Sequence, residues 1–186
     1  MSLLLISGSL RDGSTNTALL RTARAIDGDC ALFEGMGALP HFSPDDDGED
    51  LPAAVRDLRA ATGRAEALLV CTPEYAGALP GAFKNLLEWL VGGGEAYRKP
   101  IAWINVAGPA APTGAADAHA SLRKVVGYLS MEIVEEACVR IPVARDAIGE
   151  DGLIADPAIR EPLAAALAAL REGAARVDMA VARLPD

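Results

Sequence analysis

Short apolar runs alternate along the chain with longer segments in which apolar residues recur every three or four positions. Short runs of this kind are typical of β-strands buried on both faces, and the longer segments are typical of amphipathic helices. The alternation therefore predicts a parallel sheet covered by helices. The predicted strands are, in chain order, Leu3–Ser7, Cys30–Phe33, Ala67–Cys71, Ile101–Val106 and Ala137–Ile141.

The predicted helices follow the strands, and several of their ends carry proline or glycine signals. Pro80 suits the first turn of the third helix, Gly92–Gly94 ends it, and Asp156-Pro157 opens the last helix. Pro162 predicts either a kink in that helix or a later start. The apolar stripes that define the helices are carried by Leu19–Ile26, a segment from Pro52 to about Thr62, Phe83–Leu90, Leu122–Leu129 and Ile159–Val181.

Five strands and five helices in 186 residues predict an α/β protein with a three-layer, flavodoxin-like fold. We expect one domain over residues 1–186, with a five-stranded parallel sheet in the order 2-1-3-4-5. In such sheets ligands bind at the carboxyl ends of the strands where the order reverses, here between strands one and three. The loops that begin at Ser7 and Thr72 are therefore the candidate site.

Composition narrows the classes of function. The formal charge of −9 disfavours nucleic acid as a partner, and no apolar stretch is long enough to span a membrane. The three cysteines, Cys30, Cys71 and Cys138, lie far apart, so they predict buried thiols rather than a disulfide framework or a zinc site. The N-terminus lacks a basic leader, and a cytoplasmic location is expected.

The first loop combines small hydroxyl side chains, glycine and one cation at the start of a helix. Free backbone N–H groups and the positive end of the helix dipole favour an anion at such a position. A single hydroxyl there could instead cap the helix. The whole cluster predicts a phosphate site, and its candidate residues are Ser9, Arg11, Ser14, Thr15 and Asn16.

The spacing in this loop excludes two common phosphate motifs. Gly8 and Gly13 have the separation of a Walker A loop, but Ser14 stands where its lysine is required. Leu10 occupies the position of the second glycine of a dinucleotide-binding GxGxxG pattern. A monophosphate is therefore the better prediction.

The second loop, residues 72–81, places a tyrosine between prolines and glycines. Gly77 and Gly81 allow backbone to approach a flat group, and Tyr75 supplies an aromatic ring with a polar tip. Alone, this could be an ordinary connection with a packed tyrosine. Beside a phosphate loop, it predicts a planar ring with a phosphate tail, for which FMN is the simplest candidate.

Two segments in this order resemble the signatures of the NADPH-dependent FMN reductase family of flavodoxin-like quinone, azo and chromate reductases. They are Gly8-Ser9-Leu10-Arg11 with Ser14 and Asn16, and Pro73-Glu74-Tyr75 followed by Pro80–Trp89. The resemblance implies that the first segment holds the FMN phosphate and ribityl chain. It also implies a homodimer or homotetramer with the flavin near a subunit interface. The residues it places along the isoalloxazine are Pro73, Glu74, Tyr75, Ala76 and Gly77, and the third loop adds Ala107 and Gly108.

The chain departs from the family pattern at two points. Ala76 stands where the family usually has asparagine, and Pro109 and Pro112 stiffen a third loop that is usually rich in glycine. Both changes raise the question of whether FMN binding is weakened.

The resulting hypothesis is an oxidoreductase in which NADPH or NADH passes a hydride to FMN, and the flavin then reduces a small acceptor such as a quinone. The alternative is a flavodoxin-type electron carrier without nicotinamide-dependent turnover. Because the flavin carries the chemistry, no catalytic side chain is predicted; His41 and His119 are expected in surface or packing roles, and Glu74 as an anchor for its loop. No metal is expected, because the acidic run Asp45–Asp50 lacks EF-hand spacing and is predicted to be a solvated loop.

Overall fold

A central parallel sheet organises the chain, as seen in a computed structural model that describes residues 2–108 and 111–181. Its order is β2-β1-β3-β4-β5, and a short additional strand, β6, pairs with β4 further along the chain. The predicted strand order is therefore confirmed. The strands are β1 (Leu3–Ser7), β2 (Cys30–Phe33), β3 (Ala67–Cys71), β4 (Pro100–Asn105), β5 (Glu132–Ile133) and β6 (Val139–Arg140).

Helices connect the strands and cover both faces of the sheet. The α-helices are α1 (Thr15–Ile26), α2 (Ala53–Arg64), α3 (Gly81–Trp89), α4 (Ala116–Tyr128) and α5 (Pro157–Val181). The last helix begins at Pro157 and continues through Pro162, so the later start that this proline suggested is not observed. Asp156 supports that start, because its Oδ1 accepts the Ala158 N–H at 2.9 Å.

The core consists of two apolar clusters, one on each face of the sheet. Alternate residues of β1 serve the two clusters: Leu3 and Leu5 pack with α1 and α5, whereas Leu4 and Ile6 pack with α2, α3 and α4. This alternation follows from the strand geometry, in which successive side chains point to opposite faces. The arrangement fixes the carboxyl ends of β1 and β3 side by side, with Ser7 paired to Cys71.

The predicted fifth strand, Ala137–Ile141, is the main error in the fold prediction. Only β6 lies within this range; β5 precedes it, and a 3-10 turn at Glu135–Ala137 separates the two short strands. The carboxylates explain the break, because Glu135 bonds to Arg123 at 2.5 Å and Glu136 pairs with Arg176 at 3.2 Å, both near solvent. A strand continuous from β5 to β6 would have placed these two charges on opposite faces of the sheet, and both faces contact apolar side chains.

The acidic loop is also not uniformly solvated. Asp47 lies largely buried and accepts a bond from Arg59 Nη2 at 2.7 Å, while Arg59 Nε donates to the Trp89 carbonyl at 2.9 Å. The ring of Trp89 packs edge-on against Phe42 with centroids 5.0 Å apart. This segment therefore anchors the β2–α2 connection to the end of α3.

Candidate functional site

The first and second loops meet directly beyond β1 and β3. The Gly8 N–H donates to the Cys71 carbonyl at 2.8 Å. A Cβ atom at Gly8 would lie 2.3 Å from Thr72 Oγ1, which is closer than any real contact, so only glycine fits. The close approach places both loops predicted from the sequence at one edge of the sheet, at the reversal of strand order.

Hydroxyl side chains shape the first loop from within. Ser7 Oγ lies 2.8 Å from Thr17 Oγ1 and also accepts the Ser9 N–H at 3.3 Å. Ser9 Oγ in turn accepts the Arg11 N–H at 3.3 Å. Ser14 is the N-cap of α1, as the capping alternative expected, and its Oγ accepts the Thr17 N–H at 3.5 Å. These hydroxyls therefore fix the conformation of the loop through hydrogen bonds to one another and to its backbone N–H groups.

This loop leaves backbone donors at the start of α1 without protein acceptors. Within residues 2–108 and 111–181, the backbone N–H groups of Leu10, Thr15 and Asn16 donate to no acceptor. The dipole of α1 adds partial positive charge at the same place, and the exposed Arg11 adds a full charge. An anion such as a phosphate matches these donors.

Asn16 has its side-chain amide oriented by a thiol. Cys71 Sγ, which is fully buried, donates to Asn16 Oδ1 at 3.1 Å. Burial raises the pKa of the Cys71 thiol far above its ordinary value, so the sulfur keeps its proton and acts as a donor. Because Oδ1 faces the thiol, Nδ2 remains available as a donor toward the cavity that Asn16 lines.

The second loop contains a tight two-residue turn. Tyr75 and Ala78 exchange backbone hydrogen bonds at 3.1 Å in both directions. The central residues, Ala76 and Gly77, have φ angles of 52° and 69°. Positive φ at both central positions is the type I′ turn, which favours asparagine followed by glycine. The departure from the family pattern at Ala76 therefore has a backbone consequence.

Glu74 joins the second loop to the third loop and to α4. Its carboxylate accepts a bond from Thr113 Oγ1 at 2.5 Å and from the Ala118 N–H at 3.1 Å. The hydrogen bond from Thr113, followed by that from the Ala118 backbone, lowers the pKa of Glu74 below its ordinary value. Glu74 thus caps α4, whose own N-cap residue, Ala115, has no side-chain acceptor. The expected anchoring role of Glu74 is confirmed.

The third loop is held by side chains at its two ends. Asn105 Oδ1 accepts the Ala107 N–H at 2.9 Å, and its Nδ2 donates to the Gly114 carbonyl at 2.8 Å. Arg140 Nη2 donates to the Ala107 carbonyl at 3.0 Å. Pro109, which was expected to stiffen this loop, lies outside the described residues.

The predicted residues divide between two cavities. One cavity of about 280 Å³ lies between the three loops and is called here the central cavity. Of the predicted residues, the central cavity is lined by Thr15, Asn16, Pro73, Glu74, Ala107 and Gly108. A neighbouring cavity of about 270 Å³ is lined by Ser9, Arg11 and Ser14. Tyr75, Ala76 and Gly77 line neither cavity, and Tyr75 is half exposed.

Sequence reasoning missed several residues of the central cavity. Thr113 and Arg145 both line it, and Val143 closes one side. Arg145 and Val143 follow β6, so the rule that ligands bind beyond the carboxyl ends of strands could have indicated them. The misplaced fifth strand obscured that signal.

Other candidate chemistry is absent from the described residues. No group of three His, Cys, Asp or Glu side chains that could hold a metal occurs in the described part of the chain. His119 stacks on Trp103 with centroids 6.5 Å apart, and burial lowers the pKa of its imidazole. His41 is exposed. No helix among the described residues is long and apolar enough to cross a bilayer.

Known proteins with similar sequences include flavin and quinone reductases. The chain is 31% identical over 170 residues to an NAD(P)H-dependent FMN reductase from Pseudomonas aeruginosa, covering 89% of this chain and 91% of the relative. It is 29% identical over 184 residues to a probable NADPH:quinone oxidoreductase from rice, Oryza sativa, covering 92% and 88%. A 2-hydroxy-1,4-benzoquinone reductase from Burkholderia is 30% identical over 172 residues, covering 88% and 90%.

Solved structures confirm the flavodoxin-like architecture. The NAD(P)H:acceptor oxidoreductase FerB from Paracoccus denitrificans has a TM-score of 0.73 at 24% identity, covering 92% of this chain and 97% of its own. A flavodoxin variant from Pseudomonas aeruginosa has a TM-score of 0.54 at 20% identity, covering 96% and 99%. The sequence profile of the NADPH-dependent FMN reductases matches residues 1–146. The chain therefore belongs to the NADPH-dependent FMN reductase family.

Proposed function

We propose that this chain is an FMN-dependent NAD(P)H oxidoreductase that reduces a small acceptor such as a quinone. The observation that carries the proposal is the start of α1, where unpaired backbone donors open beside a cavity formed by all three loops. Family membership and the relatives named as quinone reductases support the same conclusion.

The residues fit a flavin mononucleotide in both charge and shape. Arg11 and the amides of Thr15 and Asn16 supply the positive potential that a phosphate requires. Ser9 and Ser14 support the backbone that presents these groups. Pro73, Ala107 and Gly108 give the central cavity small or rigid walls, as a flat ring system requires.

The chain does not need a proton-transferring side chain for this reaction. When bound, FMN supplies the chemistry by accepting a hydride from NAD(P)H and passing two electrons to an acceptor. Glu74 is occupied by bonds to Thr113 and Ala118, and its lowered pKa keeps it ionised at neutral pH. His119 has a pKa below its ordinary range because it is buried against Trp103. The task of the protein is to bind and orient the flavin and its partners.

Self-association and a cytoplasmic location complete the proposal. Tyr97 and Tyr128 are 67% and 81% exposed, and the Arg98 N–H donates to the Ser130 carbonyl at 2.8 Å, so the segments carrying these tyrosines adjoin. Exposed aromatic side chains of this kind are enriched at interfaces. Light scattering after size-exclusion chromatography should give the mass of a homodimer or homotetramer; a monomer mass would contradict self-association.

The proposed cytoplasmic location agrees with the state of the thiols. The cysteines among the described residues are free, which suits a reducing compartment.

A steady-state assay separates the oxidoreductase from an electron carrier of the flavodoxin type. FMN-loaded protein is mixed with NADPH or NADH in the presence and absence of 1,4-benzoquinone, and nicotinamide absorbance is followed. The oxidoreductase should consume the nicotinamide catalytically, and the quinone should increase the rate above that with oxygen alone. Bound FMN without catalytic oxidation of either nicotinamide would favour the carrier.

A further inference from the structure

A second cavity lies next to the first loop and is lined by residues other than those of the central cavity. We call it the β2 cavity, because the residues that follow β2 form one of its walls. Its volume is about 270 Å³, and the central cavity shares none of its lining residues. The residues that give the β2 cavity its character are Leu10, Arg21, Leu32, Phe33, Glu34 and Met36.

The apolar wall of the β2 cavity suits a flat ring. The Phe33 ring lies against Gly35, where an added Cβ would be 2.8 Å from it, and the buried Met36 also lines the cavity. Leu10 is 58% exposed at the rim, although Leu10 Cδ2 reaches within 3.2 Å of a Cβ position at Gly37. Leu10 and the apolar wall together form an accessible apolar surface, and a heteroaromatic ring is the kind of group that packs against such a surface.

The polar groups of the β2 cavity suit a nucleotide. Arg21 and Glu34 are 4.0 Å apart and their side chains are 47% and 69% exposed, so neither is committed to a tight ion pair. Glu34 directly follows β2. In dinucleotide-binding α/β folds, a carboxylate near this position accepts a hydrogen bond from a ribose hydroxyl. An arginine such as Arg21 is a general charge-assisted donor to phosphate oxygens.

The proposed phosphate site lies between the two cavities. Arg11 lines the β2 cavity, whereas Thr15 and Asn16, whose amides we assign to the same phosphate, line the central cavity. A ligand with its ring in the central cavity and its phosphate at α1 can therefore extend past that phosphate into the β2 cavity. FMN ends at this phosphate, whereas FAD continues with a second phosphate, a ribose and an adenine.

We propose that the β2 cavity binds the adenosine monophosphate half of FAD, so that this chain binds FAD as well as FMN. The proposal rests on the proposed function, because it needs the flavin phosphate at the start of α1. Arg21 supplies positive charge for the added phosphate, Glu34 faces the ribose, and Phe33 and Met36 contribute the wall against the adenine.

Calorimetric titration of the flavin-free protein with FMN and with FAD tests the assignment. FAD should bind at least as tightly as FMN to the wild-type chain. Arg21→Glu should weaken FAD binding relative to FMN binding by about 10-fold or more, the loss expected for a charge-assisted phosphate contact. Arg24→Glu is the matched control: it makes the same change of charge one turn along α1, at an exposed residue outside the cavity. It should leave the FAD-to-FMN ratio unchanged.

Three outcomes would overturn the proposal, each in a recognisable way. If FMN binds and FAD binds more weakly than FMN, the cavity does not take the adenosine half, and the proposed function still stands. If Arg21→Glu leaves the ratio unchanged, FAD does not use this cavity. If FAD binds poorly but ADP binds to FMN-loaded protein and Arg21→Glu abolishes that binding, the cavity serves the adenosine of NAD(P)H instead. Failure of both flavins to bind would refute the proposed function itself.

Discussion

Replacement of Ala76 by asparagine should stabilise the protein. Ala76 has a φ of 52° in the tight turn between Tyr75 and Ala78. A left-handed backbone places the Cβ of an ordinary residue too close to the following carbonyl oxygen, at a cost of about 1–2 kcal/mol. Asparagine adopts this conformation more readily, and asparagine followed by glycine is the preferred pair in a type I′ turn.

The magnitude follows from that strain. Asparagine should recover about half of it, which is an increase of about 0.5–1 kcal/mol in the free energy of unfolding. For a chain of this size, 1 kcal/mol corresponds to about 2–4 °C in the melting temperature, so the expected rise is about 1–4 °C. Ala76→Gly removes the strain fully but makes the unfolded chain more flexible, which returns about 0.4–1 kcal/mol. The net stabilisation expected for glycine is therefore about 0–1.6 kcal/mol, a range centred near that for asparagine.

Urea unfolding followed by circular dichroism measures both variants against the wild type. Ala155→Asn is the matched control, because Ala155 is also an exposed loop alanine but does not have a positive φ. The control should unfold at the wild-type midpoint. An Ala76→Asn midpoint equal to or below that of the wild type would refute the assignment of strain to this turn.

Three further predictions concern the flavin loops. Arg11→Ala should weaken FMN binding by about 10- to 100-fold through loss of a charge-assisted phosphate contact, and Arg11→Lys should restore part of it; unchanged affinity in a titration would remove Arg11 from the site. Cys71→Ala removes the donor to Asn16 Oδ1 and should weaken FMN binding several-fold, whereas Cys71→Ser, which is similar in volume to alanine, should retain the donor and the binding; equal losses in both variants would indicate a packing effect. Because the pKa of Glu74 is lowered on folding, its ionised form stabilises the protein above the unfolded pKa, and this contribution is lost as pH falls through the folded pKa. Glu74→Gln should therefore show a smaller loss of stability below about pH 4.5 than the wild type, and identical pH profiles would contradict the link.

The sequence predicted those parts of the fold that depend on local patterns. The runs Leu3–Ser7 and Ala67–Cys71 are apolar at nearly every position, as strands buried on both faces require, and both were predicted with correct ends. The strand order followed from fold-level rules rather than from any residue. The fifth strand was misplaced because pairing with β4 is divided between β5 and β6, on either side of a turn that contains Glu135 and Glu136, and the partners of these carboxylates, Arg123 and Arg176, lie on separate helices.

The contacts that shape the site join residues far apart in the chain, so no local sequence pattern predicts them. Cys71 and Asn16 are 55 residues apart, and Glu74 caps a helix that begins more than 40 residues later, the Ala118 N–H lying 44 positions along the chain. The loops that bear the site were nevertheless identified, because parallel strands bring their carboxyl ends to one edge. The division of the first-loop residues between two cavities became visible only in three dimensions.

Anaerobic reduction of the FMN-loaded protein, followed by absorbance in the flavin band, tests most directly whether this chain works as an NAD(P)H oxidoreductase. Addition of NADPH or NADH should bleach the bound flavin, and subsequent addition of 1,4-benzoquinone should restore its absorbance with one quinone consumed per flavin. A bound flavin that neither nicotinamide bleaches, although dithionite does, would contradict the oxidoreductase function.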